Sequence, residues 1–313
     1  MRVAMIEIKS TMPSNIALIK YMGKSQLTSN QAANASISLT LPHLTSTCIV
    51  KENESNQDRF IVNEKTPLTT QEQQKALSHI ERLKKHYQAN DLHLDITSYN
   101  EFPASCGLAS SASSMAAITK AVVTLICQKQ QKPEPETQTL AQLSQLGSGS
   151  SCRSFFGPFA LWHGNQKASL GCPINIHHRV IMLSSHEKKI KSSEAHKIIS
   201  ASQDLPPRIQ RANKRVADLI PALVEGDWSA IKNLTEADSK DMHWLLENNG
   251  IYYRNAQVMD CFEKLKSFMQ QKPDFLPITT MDAGPNIHVL LRDFDVPYFD
   301  QFLKTYALTE VLA

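Results

Sequence analysis

The sequence predicts an α+β fold in two domains. Strand-like alternation and helix-like periodicity are interleaved in the first half without a regular strand–helix–strand repeat, which argues against a doubly wound parallel sheet. From residue 206 onward the pattern is mainly helical, broken by two short apolar segments. The chain has 313 residues, 42% of them hydrophobic, so it can bury a large core and its length suits two domains better than one.

Residues 2–10 alternate as a strand, and 15–20 form a short apolar run that ends in charge, followed by a loop over 21–24. Strands are predicted over 35–40, 46–51 and 92–98. Between the last two, residues 70–88 are strongly helical, with Ala76, Leu77, Ile80, Leu83 and Tyr87 on one face. Helices follow over 110–130 and 135–146, joined by a polar connection broken by proline. Residues 158–164 and 180–184 are strand-like, and a Ser-, Lys- and His-rich loop over 184–200 leads into a helix. Helices are predicted over 207–224, 227–248 and 256–271, then apolar segments over 277–281 and 287–291, then a last helix over 296–305. A proline-containing loop at 174–179 precedes a new strand and sets the expected domains at 1–177 and 178–313.

The net charge of +3 is too small to argue for nucleic acid, although a locally basic pocket is allowed. No apolar run approaches the roughly 18–20 residues of a membrane span, and residues 1–8 are too short and too quickly interrupted for a signal peptide. The six cysteines show no CxxC pairing, so reduced thiols in a cytoplasmic protein are expected. The histidines, among them His177, His178, His186 and His196, have no metal-binding spacing, and no protein metal ligand is nominated.

Four motifs could carry chemistry. Residues 101–114 form a loop, punctuated by Pro103 and Gly107, that opens a helix rich in serine, with Ser110 and Ser111 in its first turn. A helix start has unpaired N–H groups and the positive end of the helix dipole, and small residues let an anion approach, so this is a predicted phosphate cradle. Residues 14–24 close an apolar run on Lys20, Tyr21 and Lys24; a lone Lys is commonly a solvated charge, but one ending a strand beside Asn and Tyr is less easily dismissed. Residues 147–154 place Ser148, Gly149 and Ser150 before Arg153, whose planar fork suits a carboxylate or phosphate. Alone, this stretch fits a Gly/Ser linker equally well; its flanking glycines and the apolar segment behind it favour a built loop. Residues 280–286 end an apolar run at Asp282, which fits a cleft carboxylate and also, more commonly, a turn residue bonded to its own loop. No GxxxxGK[ST] or strand–GxGxxG–helix pattern is present.

In order along the chain, these motifs together resemble the superfamily of galactokinase, homoserine kinase, mevalonate kinase and phosphomevalonate kinase, and within it most closely the diphosphomevalonate decarboxylase family. Residues 15–24, 34–41, 107–112, 147–154 and 281–286 carry the likeness, and 236–243 is similar to the family's late helix. The resemblance implies a ribosomal-protein-S5-like N-terminal domain and a ferredoxin-like C-terminal α/β sandwich with the ligand cleft between them. It implies ATP-dependent decarboxylation of 5-diphosphomevalonate to isopentenyl diphosphate through phosphorylation of the 3-hydroxyl, with Mg²⁺ and as a homodimer. Asp282, Lys20 and Arg153 are then the catalytic set. Tyr21, Lys24, Ser148, Gly149, Ser150, Arg153 and Ser192 face the substrate, and Pro103, Ser105, Gly107, Leu108, Ala109, Ser110 and Ser111 face ATP. The alternative is a decarboxylase of 5-phosphomevalonate or a mevalonate-type kinase of the same superfamily; kinases that do not decarboxylate lack the Asp, so Asp282 favours the decarboxylase.

This sequence departs from the family pattern in three places. Met22 replaces the usual Trp, and Pro158 stands where a second Gly is common. Ser192 aligns with a substrate-contacting serine, but residues 192–196 lack the Gly and Met that usually follow, which bears on the grip on the distal phosphates.

Overall fold

The computed structural model describes residues 6–26, 29–61, 70–102, 110–184 and 190–310. A six-stranded sheet holds β1 (Glu7–Ile19), β4 (Ser36–Glu52), β5 (Arg59–Phe60), β6 (Leu94–Asn100), β7 (Phe159–His163) and β8 (Gln166–Leu170). Its order is β5-β6-β4-β7-β8, with β1 paired antiparallel to β4. Strands β2 (Lys24–Gln26) and β3 (Gln31–Ala32) form a small hairpin beside it. A second, antiparallel sheet has the order β10-β11-β9, from β9 (His177–Ile181), β10 (Ile278–Thr280) and β11 (Ile287–Leu291). The eight described α-helices are α1 (Thr70–His86), α2 (Ser110–Lys129), α3 (Thr137–Gly147), α4 (Ser192–Ser200), α5 (Leu205–Glu225), α6 (Trp228–Asn248), α7 (Ala256–Gln271) and α8 (Val296–Tyr306). The α+β class and two-part organisation predicted from sequence are those of the structure.

The main sheet is covered on both faces. Val122, Leu125 and Ile126 of α2 and Ile80 and Leu83 of α1 pack with Met12, Val50 and Ile96. Val216, Leu219 and Leu223 of α5 and Trp228 and Ile231 of α6 pack with Ile16, Leu18, Ile37 and Leu39. A register shift in β1 between Pro13 and Ser14 lets one strand serve both cores. Side chains alternate with period two, so the slip sends Met12 to one core and Ile16 to the other. What reads as two separate runs, 2–10 and 15–20, is therefore one bent strand.

Helix α2 corrects one expectation. Among the described residues it is long and apolar enough to cross a membrane, but 83% of its most apolar window is buried inside the protein. Its small residues, Ala112, Ala116, Ala117 and Ala121, let it lie close against the sheet as a core helix. Further elements went unread, among them the β2–β3 hairpin and helix α4, which lies inside the stretch expected as a loop over 184–200. The short strands β5 and β8 exist through their neighbours' ladders, and residues 149–155, read as a loop, form a 3-10 helix. Helices α6 and α7 begin on Asp227 and Asn255, whose side chains accept from Ala230 N–H and Val258 N–H. Gly226 ends α5 at φ 71, a left-handed position where a Cβ would also meet Pro173 at 2.8 Å.

Candidate active site

A cleft of about 480 Å³ gathers residues from both halves of the chain. It is lined by Lys20, Tyr21, Lys24, Ser110, Ser111, Ser148, Gly149, Ser150, Arg153, Ser192 and Asp282, every nominated residue that the structure describes. Pro103, Ser105, Gly107, Leu108 and Ala109 lie outside the described residues.

Lys20 stands one residue beyond β1 and Asp282 two residues beyond β10. Lys20 Nζ donates to Asp282 Oδ1 at 2.6 Å and to the Ala17 carbonyl at 2.6 Å. The lysine side chain is 2% exposed, while Asp282 keeps 25% of its side chain open. The carboxylate is thus paired on one side and open on the other. Burial pushes the Asp282 carboxyl up, but Lys20, His288 and Arg153 outweigh it and hold it below the ordinary carboxylate value. Burial pulls the Lys20 ammonium down, opposed by Asp282 and Asp238.

The loop after α3 is built, not a linker. Ser151 Oγ donates to the Ser148 carbonyl at 2.6 Å and bonds Ser144 Oγ at 2.6 Å, and Asn15 Nδ2 reaches Ser154 Oγ at 3.0 Å. A Cβ on Gly149 would sit 2.7 Å from Tyr21 Oη, so only glycine allows this approach. The 3-10 turn carries Arg153 inward until it is 3% exposed, with its guanidinium 5.6 Å from the Tyr21 ring centre. Arg153 Nη1 donates to Ser36 Oγ at 3.0 Å, and its Nε has no hydrogen-bond partner among the described residues. A buried guanidinium without a carboxylate is set for an anion. Cys152 is a packing residue: it is fully buried, and burial pushes its thiol up to about 12.

Helix α4 explains two of the departures. His196 stacks on Tyr21 with ring centres 4.5 Å apart, and its Nδ1 accepts from Gly23 N–H at 3.2 Å. Ser200 Oγ accepts from Lys24 N–H at 2.8 Å. This helix clamps the 21–24 loop, bringing Ser192 to the rim. Met22 is 2% exposed and packs with Ala195, Ile199, Leu205 and Met242.

Several cleft residues carry no readable signal in the sequence. Lys75 of α1 and Lys191 before α4 line the cleft, and Lys191 Nζ donates to Gln71 Oε1 at 2.7 Å. Burial lowers the Lys75 ammonium, as does Lys24 nearby. Lys24 Nζ donates to Asn30 Oδ1 at 2.6 Å. Among the described lining residues, Lys20, Lys24, Lys75, Arg153 and Lys191 face only Asp282 and Glu72 as opposing charges. That excess of cations suits a ligand with several phosphates.

A two-part α+β fold, a cationic cleft between its parts and one lysine-paired carboxylate define an enzyme that handles phosphorylated small molecules. The chain belongs to the diphosphomevalonate decarboxylase family: residues 12–172 match the family model for the diphosphomevalonate decarboxylase-like N-terminal domain, and 179–311 match that for the mevalonate 5-diphosphate decarboxylase C-terminal domain. The diphosphomevalonate decarboxylase of Debaryomyces hansenii is 28% identical over 304 residues, covering 88% of this chain and 77% of that protein. The crystal structure of a mevalonate diphosphate decarboxylase from Legionella pneumophila is 35% identical, with a TM-score of 0.89, covering 98% of this chain and 100% of that one. A structure solved in complex with MVAPP, AMPPCP and magnesium shares the fold at 24% identity and a TM-score of 0.87, covering 99% of this chain and 97% of that one.

Proposed function

We propose that this chain catalyses the ATP-dependent decarboxylation of (R)-5-diphosphomevalonate to isopentenyl diphosphate, ADP, phosphate and CO2. Family membership supports the reaction, and the Lys20–Asp282 pair at 2.6 Å is the observation that carries it to this site. A tertiary hydroxyl is a poor leaving group until it is phosphorylated. The open side of the Asp282 carboxylate accepts the proton of the substrate 3-hydroxyl and orients its oxygen toward the terminal phosphoryl group of ATP. Lys20 keeps that carboxylate ionised before the transfer and offsets charge during it. When the 3-phosphate departs, the C1 carboxylate leaves as CO2 and its electron pair forms the new double bond. Arg153 holds that carboxylate. Tyr21, Lys24, Ser148, Gly149, Ser150 and Ser192 surround the substrate.

ATP is assigned to the wall of Ser110 and Ser111 at the start of α2; Pro103, Ser105, Gly107, Leu108 and Ala109 are assigned to it by the family resemblance of their motif alone. Among the described residues no cluster of three His, Cys, Asp or Glu side chains could hold a metal. Mg²⁺ fits such a site, because it takes most of its oxygens from phosphates and water. Among the described lining residues, the hydroxyls of Ser110, Ser111 and Ser148 would supply oxygens of that type. Bound there, Mg²⁺ offsets the charge of the phosphates. That a neighbour of the same fold was solved with MVAPP, AMPPCP and magnesium supports ATP and Mg²⁺ as the ligands. We also assign the domains to 1–177 and 178–313 and a homodimer in the cytoplasm, in keeping with five free thiols among the described cysteines. Light scattering reads the oligomer.

The test is a coupled assay of ADP and CO2 with mevalonate, its 5-phosphate and its 5-diphosphate side by side. Equal release of ADP and CO2, fastest with the 5-diphosphate, is expected. ADP release without CO2 overturns the decarboxylase, and a preference for the 5-phosphate overturns the substrate.

A further inference from the structure

The main chain of Lys20 is held by a buried ion pair from the second half of the protein. The β1 ladder ends at the Ile19–Ile37 pair, so the next residue needs other partners for its peptide groups. Lys20 N–H donates to Asp238 Oδ2 of α6 at 2.7 Å. Its carbonyl accepts from Arg208 Nη2 of α5 at 3.3 Å and from Asn34 Nδ2 at 3.0 Å. Arg208 Nη2 also donates to that same Asp238 oxygen at 2.8 Å, which closes a ring through both peptide groups. Arg215 Nη1 holds the other Asp238 oxygen at 3.1 Å. Arg208 and Asp238 are both fully buried.

A buried ion pair is a poor means of packing two helices, because apolar residues of similar size do that at least as well. This pair is spent on one residue of another element. We propose that Arg208 and Asp238 are positioning residues that lock the main chain of Lys20 so that its Nζ meets Asp282. The proposal rests on the catalytic role given to Lys20 above. With the peptide groups on both sides held, the root of the Lys20 side chain is fixed, so its ammonium reaches the Ala17 carbonyl and Asp282 from one starting point. The helix pair α5–α6 therefore completes a centre whose lysine comes from β1.

The charged and titratable groups that act on Lys20 are Asp282 beyond β10, Asp238 of α6 and Arg153 of the 3-10 turn; Arg208 of α5 and His243 of α6 stand near it. Burial and Arg153 lower the ammonium, while Asp282 and Asp238 raise it. Removing the charge of Asp238 leaves one of the two raising groups.

The experiment uses the full chain carrying Asp238→Asn, with Asp241→Asn as control. Asp241 bonds Arg211 and Arg215 and approaches Arg208 Nε at 3.6 Å, whereas Lys20 N–H and its carbonyl are held by Asp238, Arg208 and Asn34. In Asp238→Asn, kcat is expected to fall about 10- to 100-fold with KM nearly unchanged. The alkaline limb of kcat moves to lower pH. The Lys20 Cε resonance in ¹³C-lysine NMR, assigned with Lys20→Arg, titrates at lower pH than in the wild type. Arg208→Lys, which keeps the charge and loses the fork, is expected to retain more kcat than Arg208→Met. Unchanged Lys20 titration and kcat in Asp238→Asn overturn the proposal, as does an equal Lys20 shift in Asp241→Asn at matched loss of melting temperature. If Asp238→Asn does not fold, the Arg208→Lys and Arg208→Met comparison decides: equal kcat in the two overturns it. The NMR titration needs no substrate, whereas CO2 release by the wild type alone decides the reaction, so the two failures are distinct.

Discussion

Asp282 is a carboxylate with one oxygen on Lys20 and a face left open to the cleft, and both facts have consequences. Asp282→Ala is expected to lower CO2 release about 10²- to 10⁴-fold while calorimetry shows nearly unchanged ATP affinity; near-normal release overturns the role. The pH sign follows from the lowered carboxyl. The stabilisation from its ion pair is present above the ordinary carboxylate value of about 3.9 and is lost as pH falls through the lower folded value. A kcat profile between about pH 5 and 8 should therefore show no acid limb that Asp282→Asn removes. Gly149 tests the opposite wall. Its missing Cβ leaves 2.7 Å to Tyr21 Oη, so Gly149→Ala pushes the phenol aside. Substrate KM is expected to rise about 10-fold, and adding Tyr21→Phe should restore part of it, because the clashing atom is gone. Equal KM in the single and double variants contradicts this.

At the scale of elements, α1 brings Lys75 to the cleft, and a buried histidine docks that helix on α2. His79 is 1% exposed, and its Nε2 bonds Thr119 Oγ1 at 2.8 Å. Burial, with Arg82 and Lys75 nearby, drives its pKa down to about 3. The unfolded chain takes up a proton near pH 6.5 and the folded site does not, so stability is full above that value and falls as pH drops toward 3. The loss from this one group is about 1.4 kcal/mol per pH unit, or about 2 kcal/mol at pH 5. Urea unfolding at pH 7 and pH 5 measures it, and His79→Gln should shrink the difference by that amount. The same sign holds for His243, held down to about 4 by burial in α6. Helix α4 acts through Ser200 and His196 on the 21–24 loop, so the loop after β1 owes its shape to a helix that follows it by more than a hundred residues.

Across the whole molecule, one core joins the two halves. Ile16, Ile37 and Phe159 share it with Val180, Val216, Leu223, Trp228 and Leu290. Residues 1–177 expressed alone lack the helices that cover this face. That fragment is expected to bind a hydrophobic dye and to melt without a cooperative transition, whereas a sharp transition contradicts the shared core. The cleft depends on the same packing, because Lys20 follows a strand of the main sheet and Asp282 follows one of the second.

The sequence by itself determined the α+β class, most of the helices, the family and eleven cleft-lining residues, because helix and strand periods and short motifs are written in neighbouring positions. Tertiary structure decided what those residues do to one another. Lys20 and Asp282 meet across 262 positions, and no local pattern records that pairing. No local pattern marks Asp238 or Arg208 as buried, yet both are. His196 and Lys75 gain their places only when α4 and α1 dock at the cleft. The short strands β5 and β8 likewise draw their definition from the strands beside them. The physical reason is the same in each case: local periodicity sets which face of an element is buried, but a charge's partner, and so its state, is set by whatever folds against it.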